Sequence, residues 1–415
     1  MFSKEAASRF PEHKPWDHKI ELKPGFEPKA QKAFQLPQDE VKLAEKFVQE
    51  NLEKGYIRLS KSLQSSPLFF VNKKDGGKRP CQDYRYINEW TIKNVYPLPI
   101  IQDLINGLQG MKYFTKLDIR WGYNNIRICV GDEWKAAFRT PQGLFEPTVM
   151  FFRLCNSPAT FQSIMDGIFY EEQQLGWLKK YIDDILIAAK TKEELKDRTL
   201  RVLKKLGEND LYLKPEKCEF YQKQVEYLGF IISEGKIEMD PKKIAGIADW
   251  PIPTTLKQLC SFLGFGNYYR QFIRSFSDVA RPLNELLRKD TVYEWTEERN
   301  NYFNDMKQQF TTKPVLIMPD QSRPFWVESD ASKYATGAVL MQKDSNGDLH
   351  PCSYISQTFT PAERNYQIYD RELLGIICTL DEWRHYLLGF PHTTTVFTNH
   401  NNLLYYQTAQ KLNRR

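Results

Sequence analysis

Residues 178–190 read LKKYIDDILIAAK. Two adjacent carboxylates, Asp183 and Asp184, sit where two apolar runs meet. Leu178 to Ile182 and Ile185 to Ala189 each read as a strand, with the acidic pair at the bend, which predicts a β-hairpin. Mostly apolar arms imply burial. A buried, unpaired carboxylate is costly, and two side by side resist joint ionisation. A divalent cation removes that cost. The plain alternative is an exposed hairpin with Asp at its turn, where Asp is favoured in any case.

A third carboxylate bears on the choice. KYFTKLDI (112–119) alternates as a strand, with Phe114, Lys116 and Asp118 on one side and Tyr113, Thr115, Leu117 and Ile119 on the other. Asp118 ends that strand, 65 residues before Asp183. Neighbouring strands would bring Asp118, Asp183 and Asp184 to one sheet edge. Nucleotide polymerisation uses two divalent ions, one at the attacking hydroxyl and one at the leaving phosphate. Mg²⁺ takes a few carboxylates with phosphates and water, which suits three Asp without His. An Asp at a strand end can also simply cap a turn.

Around these strands the 415-residue chain has room for two to three domains. A content of 41% hydrophobic and 14% aromatic residues supports real cores and excludes a disordered chain. The net charge of +6 is compatible with an anionic partner without requiring one. Seven dispersed Cys, without CxxC, predict free thiols and an intracellular, non-secreted protein rather than a zinc site or disulfide frame. No apolar run of about 18 residues predicts a membrane span.

Residues 1–37 read as an extended lead-in. Val41, Ala44, Val48 and Leu52 fall at helical spacing, stopped by Gly55. Residues 65–85 form a predicted hairpin turned at Asp75-Gly76-Gly77, with Lys73, Lys74, Lys78 and Arg79 at its tip. A helix is predicted at Ile101–Leu108, an amphipathic one over 192–210, and a strand at VEYLGFIIS (225–233). Residues 240–315 read as helical, with Tyr269, Phe272, Ile273 and Phe276 on one face. Arg270, Arg274 and Arg281 recur at helical spacing beside Tyr268 and Tyr269, as a phosphate-tracking surface or a solvated helix face. Prolines mark a boundary near 320. Beyond it, strands PFWVESDAS and GAVLMQ precede a long helix and the strand TTTVFTNH, a mixed α/β pattern. That helix carries Tyr369, Leu373, Ile376, Ile377, Leu380 and Leu387 on one side.

KKDGGKRPCQDYR, YFTKLDIRWGYNNIRI, NSPATFQ, YIDDILI, LYLKPEKCEF and VEYLGF resemble, in this order, the successive blocks of a reverse transcriptase. They are most similar to the polyprotein of gypsy-class LTR retrotransposons. SFLGFGNYYRQFI, ESDASKYATGAVLMQ, ERNYQIYDRELLGI and EWRHYLLG carry the resemblance into the RNase H region, so that it spans roughly 35–412. The resemblance implies an α+β right-hand polymerase (fingers, palm, thumb) followed by a C-terminally truncated α/β RNase H-like domain. The corresponding boundaries are 38–232 for fingers and palm, 233–320 for thumb and connection, and 321–415 for the RNase H-like domain. It implies Asp118, Asp183 and Asp184 as catalytic metal ligands for Mg²⁺ (or Mn²⁺). It implies Lys73 and Arg79 on the incoming triphosphate, Tyr123 under the sugar excluding a 2′-OH, and Tyr227, Leu228 and Gly229 as primer grip. The implied partners are an RNA template, a DNA primer or RNA–DNA hybrid, and dNTPs.

Two departures from the family pattern stand out. Arg153, in MFFRLCNSP, occupies a position the family fills with Gly, which suggests close backbone approach or positive φ there. Arg either disables the neighbouring nucleotide pocket, leaving a decayed non-catalytic nucleic-acid-binding remnant, or points outward to phosphate. In the RNase H-like region Asp330 and Glu372 match metal-binding carboxylates, but Asn399 stands where the family has Asp, and the fourth acidic position is expected beyond Arg415. Asn lends a carbonyl oxygen without charge. The expectation is a degraded site without useful RNase H cleavage.

Overall fold

The computed structural model describes residues 2–72, 76–312, 315–344 and 346–398. It contains two compact units, Met1–Gly107 with Tyr113–Gln222, and Leu108–Lys112 with Lys223–Arg415. Among the described residues no helix is long and apolar enough to cross a membrane.

The first unit holds two sheets. In one, the strands run in the order Leu178–Tyr181, Asp184–Ala189, Tyr113–Asp118, Glu219–Gln222. The apolar alternation decides its inner face: Leu117, Ile119, Ile185 and Ile187 pack beneath the helices Ser157–Ile168 and Lys192–Glu208 through Phe161, Met165, Leu195, Val202 and Leu206. The other sheet runs Ile57–Leu59, Gly143–Pro147, Phe138–Thr140, Ser66–Asn72, Lys78–Gln82. The hairpin predicted over 65–85 is its outer pair, with Val71 opposite Arg79. The helix Gln38–Glu53 buries Ala44 and Val48, and Gly55 ends it at φ 71°. The lead-in is mostly extended but not loose. It bridges the unit at His18–Ile128, Leu22–Thr91 and Ala30–Ser65.

In the second unit the segment 225–233 is not one strand. It is a hairpin, Gln224–Tyr227 and Phe230–Ser233, turned at Leu228 (φ 49°) and Gly229 (φ 80°). Two consecutive positive φ values match a twist-compatible two-residue turn. This hairpin continues through Lys236–Met239 to Leu316–Ile317, across the boundary read at 233. Helices Pro241–Ala248, Leu256–Tyr268, Phe276–Asn284 and Glu297–Thr311 follow the strands.

The helical spacing of Arg270, Arg274 and Arg281 does not survive. The helix stops at Tyr268, and Ser275 (φ 52°) separates it from the next. Each Arg is tied within the unit: Arg270 to the Ser356 carbonyl, Arg274 to Glu328 at 2.5 Å, Arg281 to Glu285 at 3.1 Å.

The last sheet runs Leu349–Thr358, Ala335–Lys343, Trp326–Ala331, Thr395–Phe397, the final pair parallel. The helix Ile368–Glu382 packs on it through Glu372, Gly375 and Thr379. The apolar side of the helix is open at Leu373, Ile377 and Leu380. Small residues decide this. A Cβ on Gly375 would stand 2.5 Å from Thr336 Oγ1, so only the Gly375 side permits so close an approach.

Candidate active site

The antiparallel register sets Asp118 directly opposite Asp184, and the Asp118 end of its strand beside the Ile182–Asp183 turn. Ile119 N–H donates to the Asp183 carbonyl at 3.2 Å, locking turn to strand. Ile182 takes φ 55°, a conformation costly for a β-branched residue. The sheet therefore brings together the three carboxylates singled out from sequence. Burial, then Asp118, raises the Asp183 pKa; burial, then Asp183, pushes Asp184 up to about 6.

Two lysines complete this edge. Lys217 Nζ lies 3.0 Å from Asp118 Oδ2, and Lys214 Nζ 4.0 Å from Asp118 Oδ1. The hydrogen bond to Asp118 holds the Lys217 pKa above its ordinary value. Both lysines lie in LYLKPEKCEF, yet nothing local to that block says which strand end they reach. Among the described residues no group of three or more His, Cys, Asp or Glu side chains is arranged to hold a metal ion.

Tyr123 stands in a short helical turn, Gly122–Asn125, with its ring edge-on to Phe161 at 5.7 Å. Burial, then Asp183, pushes its hydroxyl up to about 12. Close packing explains Gly122, whose added Cβ would meet Phe161 at 3.1 Å and the Asp183 side chain at 3.7 Å.

The turn is held from below by Gln162, in the NSPATFQ block. Its Oε1 accepts Ile182 N–H at 2.8 Å and its Nε2 donates to Asp166 at 2.9 Å. Neither role was legible from spacing.

On the hairpin, Lys78 is occupied by Asp39 and Glu40 at 2.6 and 2.9 Å, whereas Arg79 is exposed with its guanidinium 5.8 Å from the Phe152 ring centre. Lys73 lies outside the described residues. Arg153 adopts φ 81°, the backbone shape anticipated for a Gly there. Asn88 pins that loop by donating to the Arg153 carbonyl at 2.8 Å and accepting from Cys155 N–H at 2.9 Å. The Arg153 guanidinium covers the Phe69 ring at 4.8 Å.

In the second unit, Tyr227 is fully buried, while Leu228 and Gly229 form the turn. Tyr268 and Tyr269 donate to their carbonyls at 2.6 and 3.0 Å. These tyrosines, read beforehand as flanking a phosphate-tracking surface, thus secure the turn. Asp330, on the last sheet, is exposed, and Glu372, on the helix packed against it, is buried. Burial, then Asp330, raises the Glu372 pKa, and Glu372 Oε2 has no hydrogen-bond partner among the described residues. Asn399 lies outside the described residues.

Comparison with known proteins bears on both units. A family model described as reverse transcriptase (RNA-dependent DNA polymerase) matches residues 71–232, and one described as an RNase H-like domain found in reverse transcriptase matches 295–396. The chain is 38% identical over 371 residues to the Transposon Tf2-3 and Tf2-7 polyproteins of Schizosaccharomyces pombe, covering 89% of this chain and 28% of each relative. It therefore spans little more than a quarter of their length. Among solved structures, a foamy viral protease-reverse transcriptase in complex with double-stranded DNA aligns with TM-score 0.83 at 22% identity, over 97% of this chain and 70% of that one. The same viral protein in complex with RNA/DNA hybrid aligns with TM-score 0.78 at 22% identity, over 96% and 54%. Over most of its length the chain is similar to retrotransposon polyproteins, and it carries a reverse transcriptase domain followed by an RNase H-like domain.

Proposed function

We propose that this chain is an RNA-directed DNA polymerase, adding dNTPs to a primer 3′-OH on an RNA template. The observation that carries the reading is the strand register, which sets Asp118 against Asp184 with Asp183 on the adjoining turn. Burial raises the Asp183 and Asp184 pKa values, and three oxygen-donor carboxylates offer a donor chemistry that fits Mg²⁺ or Mn²⁺. These side chains are not gathered into a metal-holding group here, where Asp118 is paired with Lys217; Asp118, Asp183 and Asp184 would hold the ions once that pairing is given up. Bound divalent ions supply a more acidic primer hydroxyl and neutralised phosphates.

The chain's own side chains do the remaining work. Tyr123, wedged on Phe161, excludes a 2′-OH by bulk. Arg79, with Lys73, neutralises the triphosphate. The turn Tyr227-Leu228-Gly229 holds the primer end. Fingers and palm occupy 38–232, thumb and connection 233–320, and the RNase H-like domain 321–415. The reported complexes of the viral relative support duplex DNA and RNA–DNA hybrid as partners here.

In the RNase H-like domain, Asp330 and Glu372 match two of the family's carboxylates while the sequence has Asn399 at the expected third, and we infer no useful hybrid cleavage. Robust degradation of labelled RNA–DNA hybrid, abolished by Asp330→Ala, would refute this.

A second reading, a non-catalytic hybrid-binding remnant, is favoured by Arg153 sitting in a glycine conformation. Primer extension on an RNA template separates the two. Extension by the chain but not by Asp183→Asn supports the polymerase. Extension only after Arg153→Gly supports recent decay, and hybrid binding without extension in either form supports the remnant.

A further inference from the structure

The turn that carries Asp183 is linked through Gln162 to a carboxylate outside the proposed metal site, Asp166. Gln162 is 1% exposed and makes two hydrogen bonds of opposite sense, accepting from Ile182 N–H and donating to Asp166 Oδ1. A side-chain amide has one acceptor end and one donor end. An anion at Asp166 therefore selects the orientation in which the Gln162 oxygen faces the turn. The same carboxylate binds the Lys180 amine, and its second oxygen accepts from the Tyr96 hydroxyl at 2.5 Å. Lys180 is 2% exposed and also donates to Gln173 Oε1 at 2.8 Å. Asp166 thus collects the strand before the turn, the turn itself through Gln162, and the 96 segment. A β-branched residue at φ 55° persists only where its surroundings over-determine it.

We propose that Asp166 is a positioning residue for polymerisation: by fixing the Gln162 amide and anchoring Lys180, it holds the Ile182–Asp183 turn in register with Asp118 while touching neither substrate nor ion. This rests on the polymerase reading above. It assigns Asp166 more than the neutralisation of a buried lysine, and the two roles separate experimentally.

The test compares the full chain with Asp166→Asn and with Asp166→Asn/Lys180→Met, which removes the stranded cation. Four quantities are read: single-nucleotide extension on an RNA template, hybrid binding, thermal melting, and amide hydrogen exchange of the peptide containing Ile182. Asp166→Asn is expected to lower kcat about 10²-fold, the scale of an ångström's misplacement, with dNTP KM and hybrid Kd within about twofold, and to speed Ile182 exchange. The double variant is expected to regain thermal stability while kcat stays low and exchange stays fast. Gln162→Glu, which sets two carboxylates against each other, is expected to behave like Asp166→Asn. Recovery of wild-type kcat by the double variant, or unchanged Ile182 exchange in Asp166→Asn, would overturn the proposal. If the wild-type chain extends no primer, the polymerase reading fails, and the exchange measurement still decides whether Asp166 holds the turn.

Discussion

Replacing Arg153 with Gly should stabilise the first unit relative to replacing it with Ala. At φ 81° a Cβ-bearing residue suffers the left-handed penalty, about 1–2 kcal/mol. Asn88 grips backbone atoms on both sides of the loop, so that shape persists whatever side chain stands at 153. Both replacements lose the guanidinium over Phe69, worth about 0.5–1 kcal/mol at an exposed site, so that contact cancels between them. Gly gives back roughly 0.4–1 kcal/mol through the greater freedom of its unfolded chain. The balance favours Gly over Ala by about 1 kcal/mol. Against the native chain, Arg153→Ala should be destabilised by the lost ring contact, and Arg153→Gly should be nearly neutral. Urea denaturation followed by tryptophan fluorescence reads this as ordered midpoints at a common slope. An Ala variant equal to or more stable than the Gly variant would refute the claim that the backbone at 153 is strained.

Asp184 makes stability depend on pH. Its pKa is raised in the fold to about 6 from an ordinary 3.8, so the folded state binds the extra proton. Its stabilising share is full below about pH 4 and is lost as pH rises through about 6. Asp184→Asn should flatten that slope in thermal melts and raise the Tm at pH 7, while reducing primer extension. Tyr123→Ala should admit ribonucleotides into the extended primer, read by alkali-sensitive products, with little change in dNTP use. Gly375→Val should destabilise the second unit by about 1–3 kcal/mol, because its side chain meets Thr336 beneath the helix; an unchanged melting profile would count against the close approach.

Much of the first sheet was legible because its strands are short, mostly apolar and buried, as in Tyr113–Ile119 and the arms of the YIDD hairpin, and their carboxylates fall where the strands end. Other features depend on contacts that spacing does not encode. VEYLGFIIS is mostly apolar, so its turn shows only in Gly229, which a continuous-strand reading absorbs. The Ile368–Glu382 helix has a clear apolar stripe, but the sheet below offers Ser329 and Thr336, and close packing selected Gly375 and Thr379 instead. Arg270, Arg274 and Arg281 repeat like a helix face, yet the left-handed Ser275 between them breaks the repeat. The lead-in reads as polar and extended. Its packing hinges on His18, whose Nδ1 lies 2.9 Å from Thr160 Oγ1, 142 residues away, and which burial lowers to about 4. The lysines at 214 and 217 and the amide of Gln162 likewise acquire meaning only once distant segments meet.

The pairing of Asp118 with Asp184 has a consequence for how such a chain can vary. The spacing of the carboxylates is written in a strand ladder, and the 65 residues separating Asp118 from Asp183 along the chain do not enter it. A loop such as the Thr140–Gly143 turn could lengthen without moving either acid. One residue deleted between Tyr181 and Ala189 would turn every following side chain of that strand to the other face, each into a core shaped for its neighbour. Copying errors of equal size should therefore be silent in one place and abolish the site in the other.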